Sequence, residues 1–268
     1  MNQIKIIAEI GWNHMGNMSL AKKMILIAKK NGADFCKFQT WSEKNLKPGP
    51  WDTDGRRKIY KKAELTLEKH FLLKKYCKKI GIRFLSSVFS TKDLHLLHKI
   101  NVNEIKIPSH EIHNIKLIKE ASKKFKKVYI STGASKWKEV LKIKKEIKKK
   151  NLVLMHCVSA YPCNIDKINL PRLSKLKKLN YEIGYSGHYQ GIDDAIAAIC
   201  NGAKFVEKHF TINNKLPGRD NKFAILPKQL LFLRKSIDRY YQMFKSVKKG
   251  FISQEKEIRK IYTGRWSR

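Results

Sequence analysis

Residues able to do chemistry recur in this chain at the ends of short apolar runs. Glu9 closes one run, with Gly11, Asn13 and His14 just beyond it; Lys37 and Gln39 close a second, Ser86 and Ser87 a third, and Lys106, with Ser109 and Glu111, a fourth. Ser131, Thr132 and Gly133 follow, then His156 with Ser159 and Tyr161, then Ser186 and His188, and finally Glu207 and His209. The two lysines are the most informative, because an ammonium group on a long chain is costly to enclose at a strand end. An anionic ligand would offset that cost, and Lys37 and Lys106 with Ser87, Ser109 and Ser131 could cradle a phosphate or carboxylate. His188 and His209 close neighbouring runs, so their imidazoles could meet at one metal, with water and a substrate oxygen completing its shell. Glu207, two residues before His209, shares its strand face and could order a water or orient that metal. Singly, each residue also has a plainer reading, since Ser and Thr cap helices and His satisfies backbone groups.

Such a set needs a scaffold that brings eight separate segments together. Apolar, β-branched runs at 4–9, 35–39, 83–87, 104–107, 128–131, 153–157, 182–185 and 205–209 read as strands. Segments of helical period alternate with them, such as Leu20, Met24, Ile27, Ala28 and Leu67, Phe71, Leu72, Tyr76, and the last runs from Pro227 to about Phe244. Eight alternations without a Gly-rich phosphate turn after Glu9 predict a single (β/α)8 TIM barrel, whose active site lies at the carboxyl ends of its strands. The barrel domain is expected over 1–246 and a short basic tail over 247–268, with 42–60 a long loop suited to act as a lid.

Lys+Arg number 58 against 22 Asp+Glu, a formal net charge of +36, which would attract any polyanion. The lysines are spread over nearly every helical segment instead of forming one patch, so a solvated surface is the favoured reading and nucleic acid is disfavoured. Five cysteines without a Cys-x-x-Cys pair argue against a disulfide framework or a structural zinc and for a reducing, cytoplasmic setting. Neither a leader nor a long apolar run suggests secretion or a membrane span.

The ordered motifs resemble the sialic acid (N-acetylneuraminate) synthase family. They are Ile7-Ala8-Glu9-Ile10-Gly11 with Asn13-His14, Lys37-Phe38-Gln39-Thr40, Ser87-Val88-Phe89-Ser90, Lys106-Ile107-Pro108-Ser109 with Glu111, Ser131-Thr132-Gly133, His156-Cys157 with Tyr161-Pro162, Gly184-Tyr185-Ser186-Gly187-His188, and Glu207-Lys208-His209-Phe210-Thr211 with Pro217-Gly218-Arg219-Asp220. The resemblance implies condensation of phosphoenolpyruvate with the open-chain form of N-acetylmannosamine or a related N-acylamino sugar, releasing phosphate. It places Lys37, Ser87, Lys106, Ser109, Ser159 and Ser186 on phosphoenolpyruvate, and Glu9, Gln39, Glu111, Tyr161 and Asp220 on the sugar. His188 and His209 match the pair that holds Mn²⁺, or another divalent cation such as Mg²⁺, and Glu9 or Glu207 would handle the attacking water. A homodimer is expected.

Departures from the pattern fall mostly on the sugar side. Relatives usually append an antifreeze-like C-terminal domain that supplies an Arg to a partner's site, expected to be missing here. Gly187 stands where many relatives have Asp, Ser87 and Ser159 replace Thr and Asn, and Asp54 falls where an Asn often meets the sugar. The alternatives are a related phosphoenolpyruvate-dependent 3-deoxy-sugar acid synthase, and a barrel that has lost catalysis and binds RNA or another polyanion.

Overall fold

Eight parallel strands pair in chain order and the last returns to the first, forming a closed barrel. They are β1 (Lys5–Gly11), β2 (Phe35–Thr40), β3 (Arg83–Val88), β4 (Glu104–Ile107), β5 (Lys127–Ser131), β6 (Leu152–His156), β7 (Glu182–Gly187) and β8 (Phe205–His209). The computed structural model describes residues 4–147, 149, 151–243 and 250–266. Helices α1 (Met18–Lys30), α2 (Arg56–Ala63), α3 (Leu67–Ile80), α4 (Thr91–Lys99), α5 (Ile115–Lys124), α6 (Trp137–Glu146), α7 (Pro171–Lys177), α8 (Asp193–Cys200), α9 (Pro227–Met243) and α10 (Glu255–Tyr262) follow one another along the chain. The single-barrel expectation is met, and each strand begins and ends within two residues of its predicted place.

Strand residues alternate faces, and that alternation makes two cores. Ile6, Ala8, Ile10, Cys36, Phe38, Ile105, Ile107, Val128 and Ile130 pack outward against the helices. Ile7, Phe35, Leu85, Tyr129, Val153, Met155 and Phe205 point inward and plug the barrel axis. One step further along the same inward faces stand Glu9, Lys37, Ser87, Lys106, Ser131, Ser186 and Glu207, so the apolar plug is the floor on which the polar layer rests.

Ser86, Thr132 and His156 have the outward parity and serve the helix layer: the Ser86 and Thr40 hydroxyls pair at 2.7 Å, and the His156 Nε2 bonds the Ile168 carbonyl at 2.8 Å. The apolar stripe predicted on α3 is rotated, because His70, Leu73 and Cys77 are buried while Phe71 is 56% exposed. The loop after β2 is partly helical, holding two short 3-10 turns and α2, which enters through Gly55 at φ +82°. Besides the eight expected helices there are thus α2 and α10, every residue of the latter being exposed. The predicted end of the last barrel helix at Phe244 and the 246/247 boundary lie outside the described residues. None of the described helices is long and apolar enough to cross a membrane.

Candidate active site

The carboxyl ends of the strands open into a cavity of about 1000 Å³. Of the predicted site residues, Glu9, Lys37, Gln39, Ser87, Lys106, Ser109, Glu111, Ser131, Tyr161, Ser186, His188, Glu207, His209 and Asp220 all line it. Ser159 stands behind the wall and reaches it through Ser109, the two hydroxyls 2.9 Å apart. Asp54 does not line the cavity; it is held by Arg56 on the surface at 2.6 Å.

At the base of the cavity four charges neutralise one another. Lys37 lies 2.7 Å from Glu9 and 3.5 Å from Glu207, and Lys106 lies 2.9 Å from Glu207. Lys37 also donates to Ser87 at 3.0 Å, Ser186 to Glu207 at 3.0 Å, and Gln39 to Glu9 at 2.7 Å. The cost of enclosing the two lysines is therefore met by two carboxylates from β1 and β8, and not, as expected, by an anionic ligand alone. Glu207 accordingly grips both lysines. Burial would raise its pKa, yet Lys106 and Lys37 overcome burial and hold it down at about 2. Glu9 goes the other way, since burial outweighs Lys37 and lifts it to about 7, with Glu207 adding to the rise. Burial lowers Lys106 against the pull of Glu207, whereas Lys37, between two carboxylates, is raised despite burial.

Gly11 opens the wall above Glu9. Its φ is +52°, and a Cβ there would meet Glu9 Oε1 and Gln39 Nε2, both at 3.1 Å, so glycine lets the backbone turn without crowding the carboxylate.

His188 and His209 do meet, their ring centroids 5.6 Å apart. His188 Nδ1 lies 2.6 Å from the Val158 carbonyl. A carbonyl can only accept, so Nδ1 carries the proton and a neutral ring presents Nε2 as a lone pair. Burial keeps it neutral, lowering its pKa to about 4. Burial together with His188 also holds His209 well below the usual imidazole range. Its Nδ1 is buried without a hydrogen bond, 3.6 Å from the Asp220 carboxylate. Among the described residues no cluster of three or more His, Cys, Asp or Glu is arranged to hold a metal. The two neutral imidazoles, one of them with its Nδ1 unpartnered, nonetheless fit a divalent cation that takes the rest of its ligands as oxygens. Tyr161 covers the pair, its ring 4.0 Å from that of His188. Where Gly187 seemed to leave a carboxylate missing, Asp194 from α8 takes the space: a Cβ at 187 would lie 2.2 Å from its Oδ2.

The upper wall was mostly invisible in the sequence. Trp12, Trp41, Tyr60 and Phe89 form an aromatic side, with Trp12–Tyr60 and Trp41–Phe89 centroids 5.5 and 6.1 Å apart. Trp12 Nε1 donates to Asp220, whose pKa burial raises to about 6 against that bond. Lys47, Arg56 and Arg219 supply rim cations. Arg219 sits beside Asp220 in a motif already noted, which was the one available signal. The lining holds five basic side chains (Lys37, Lys47, Arg56, Lys106, Arg219) and six acidic ones (Glu9, Glu43, Asp93, Glu111, Glu207, Asp220), so the excess of +36 lies elsewhere on the molecule.

The NeuB family model matches residues 24–249. The chain is similar to N,N'-diacetyllegionaminic acid synthase of Campylobacter jejuni, 35% identical across 96% of this chain and 83% of that protein. It is also similar to N-acetylneuraminate-9-phosphate synthase of Homo sapiens, 33% identical across 87% of this chain and 68% of that one. The crystal structure of N-acetylneuraminic acid synthetase from Leptospira borgpetersenii, in complex with citrate, matches with a TM-score of 0.89 at 32% identity, covering 98% of this chain and 93% of that one.

Proposed function

The chain belongs to the NeuB family, and from that membership we propose that it condenses phosphoenolpyruvate with an N-acylamino sugar, N-acetylmannosamine or a relative, to give a sialic-acid-type nonulosonate and phosphate. The observation that carries the reading is the base of the cavity, where Lys37 and Lys106 stand beside a pair of neutral imidazoles. Lys37, Lys106, Ser87, Ser109, Ser131 and Ser186 hold the phosphate and carboxylate of phosphoenolpyruvate, with Ser159 supporting Ser109. An incoming anion competes with Glu9 and Glu207 for the two lysines, so binding exchanges one set of charge-assisted bonds for another. Gln39, Glu111, Tyr161 and Asp220 face the sugar beneath the aromatic side.

His188 and His209 would hold Mn²⁺, or another divalent cation such as Mg²⁺, which polarises the sugar aldehyde when bound. C3 of phosphoenolpyruvate adds to the aldehyde carbon and the aldehyde oxygen takes a proton. Water adds at C2, and the tetrahedral carbon expels phosphate as its hydroxyl proton leaves and the keto group forms. Glu9 is the better candidate for the water proton, because its pKa near 7 suits exchange at neutral pH while Glu207 is committed to three donors. Burial of the base beneath the aromatic side limits competing hydrolysis.

Purified protein with Mn²⁺ and phosphoenolpyruvate is assayed for phosphate release across a panel of N-acyl hexosamines, with products identified by mass spectrometry. Sugar-dependent release yielding a nine-carbon keto acid supports the proposal. Release with no sugar of the panel refutes it, and products from simple aldoses alone would point to 3-deoxy-sugar acid formation.

A further inference from the structure

Behind the histidine pair lies a buried ion pair that the proposed chemistry does not use. Lys208 sits on β8 between Glu207 and His209, and the strand alternation turns it away from the cavity toward α8. Its ammonium group donates to both oxygens of Asp194, at 3.0 and 2.8 Å, and to the Tyr189 carbonyl at 2.7 Å. Side-chain exposures are 2% and 0% for Lys208 and Asp194. Asp194 also accepts from the Tyr185 hydroxyl at 3.0 Å and from the Ala195 amide at 2.8 Å.

These contacts converge on the turn that carries His188. Tyr185 precedes it on β7, Tyr189 follows it directly, and Gly187 leaves room for Asp194 because any Cβ would collide with Oδ2. Lys208 is covalently one residue from His209 and is tied by hydrogen bond to the residue next to His188. The ion pair therefore spans the two strands from which both imidazoles project.

We propose that Lys208 and Asp194 are positioning residues that fix the separation of His188 and His209, and so set the affinity of that pair for a divalent cation. The inference rests on the metal reading given above. Neither residue touches substrate or cation; both act through the turn and the strand.

The test is Mn²⁺ binding to the full chain without substrates, read by electron paramagnetic resonance, beside melting temperature and steady-state kinetics. Because Lys208→Met alone leaves a buried carboxylate unpaired, the informative variant is Lys208→Met/Asp194→Leu, which removes both charges and keeps apolar volume. The expected result is a cooperative melt with Mn²⁺ affinity weakened about 10- to 100-fold, the scale usual when groups supporting metal ligands are lost. The KM for phosphoenolpyruvate should stay within about threefold, and Lys208→Arg should keep most of the affinity. A folded double variant that binds Mn²⁺ as tightly as the parent chain overturns the inference and leaves the metal reading standing. A parent chain that binds no divalent cation overturns both. A double variant without a cooperative melt assigns the pair to folding and also overturns it.

Discussion

Replacing Lys106 with Met removes one of the two cations around Glu207 while keeping most of the side-chain volume. Lys106 is 2% exposed and its ammonium group is 2.9 Å from Glu207, which is 6% exposed, so the change leaves that buried carboxylate only Lys37, at 3.5 Å, and the Ser186 hydroxyl. Breaking one partner of a buried pair costs about 3–5 kcal/mol. At about 2–4 °C per kcal/mol for chains of about 150–250 residues, the melting temperature should fall by roughly 6–20 °C. Glu207→Gln in the same chain removes the undercompensated charge, and Lys37 keeps Glu9 as a partner at 2.7 Å. The double variant should therefore recover part of the loss, with a coupling of at least about 1 kcal/mol. Differential scanning calorimetry of the parent, both single variants and the double variant gives that coupling. Activity should not recover, since the ammonium group is also a predicted contact of phosphoenolpyruvate: a lost charge-assisted bond of about 1.5–3 kcal/mol lowers kcat/KM about 10- to 150-fold. Additive losses in the double variant would show that Lys106 and Glu207 do not sustain each other, and the charge balance described for the cavity base would be wrong.

His188→Ala and His209→Ala should each abolish most Mn²⁺ binding and sugar-dependent phosphate release; salt-dependent RNA binding untouched by either change, in a parent chain without sugar-dependent turnover, would favour the polyanion alternative. Arg219→Ala, on the cavity rim, should raise the KM for the sugar several-fold and leave that for phosphoenolpyruvate nearly unchanged; the reverse pattern in steady-state kinetics would place Arg219 in the other half of the site. His14 is buried, and burial lowers its pKa from 6.5 to about 4, so the unfolded chain binds the extra proton first and stability rises with pH across that window. It should account for about 3 kcal/mol of stability lost as pH falls from about 6.5 to 4, and denaturant titrations of His14→Asn should show a shallower slope there.

The barrel was legible because its signals are local. A run such as Ile4 to Glu9 declares a strand by its own composition, and eight such runs interleaved with helical segments leave few architectures to choose from. Strand parity also made the inward set readable, since Glu207 and His209, or Lys37 and Gln39, share a face by a two-residue step. Parity alone turns Ser86 and His156 outward, although their polar character and terminal position imitate those of the inward set. The sequence thus determined the fold, the strand ends and most of the residues that meet at the cavity. Tertiary structure decided the pairings among them: that Glu9 and Glu207 neutralise the lysines, that Asp194 fills the space beside Gly187, and that aromatic residues from separate segments build the upper wall. Those contacts join residues up to about two hundred positions apart, as Trp12 and Asp220 do, and depend on how the barrel closes, a distance that no local pattern encodes.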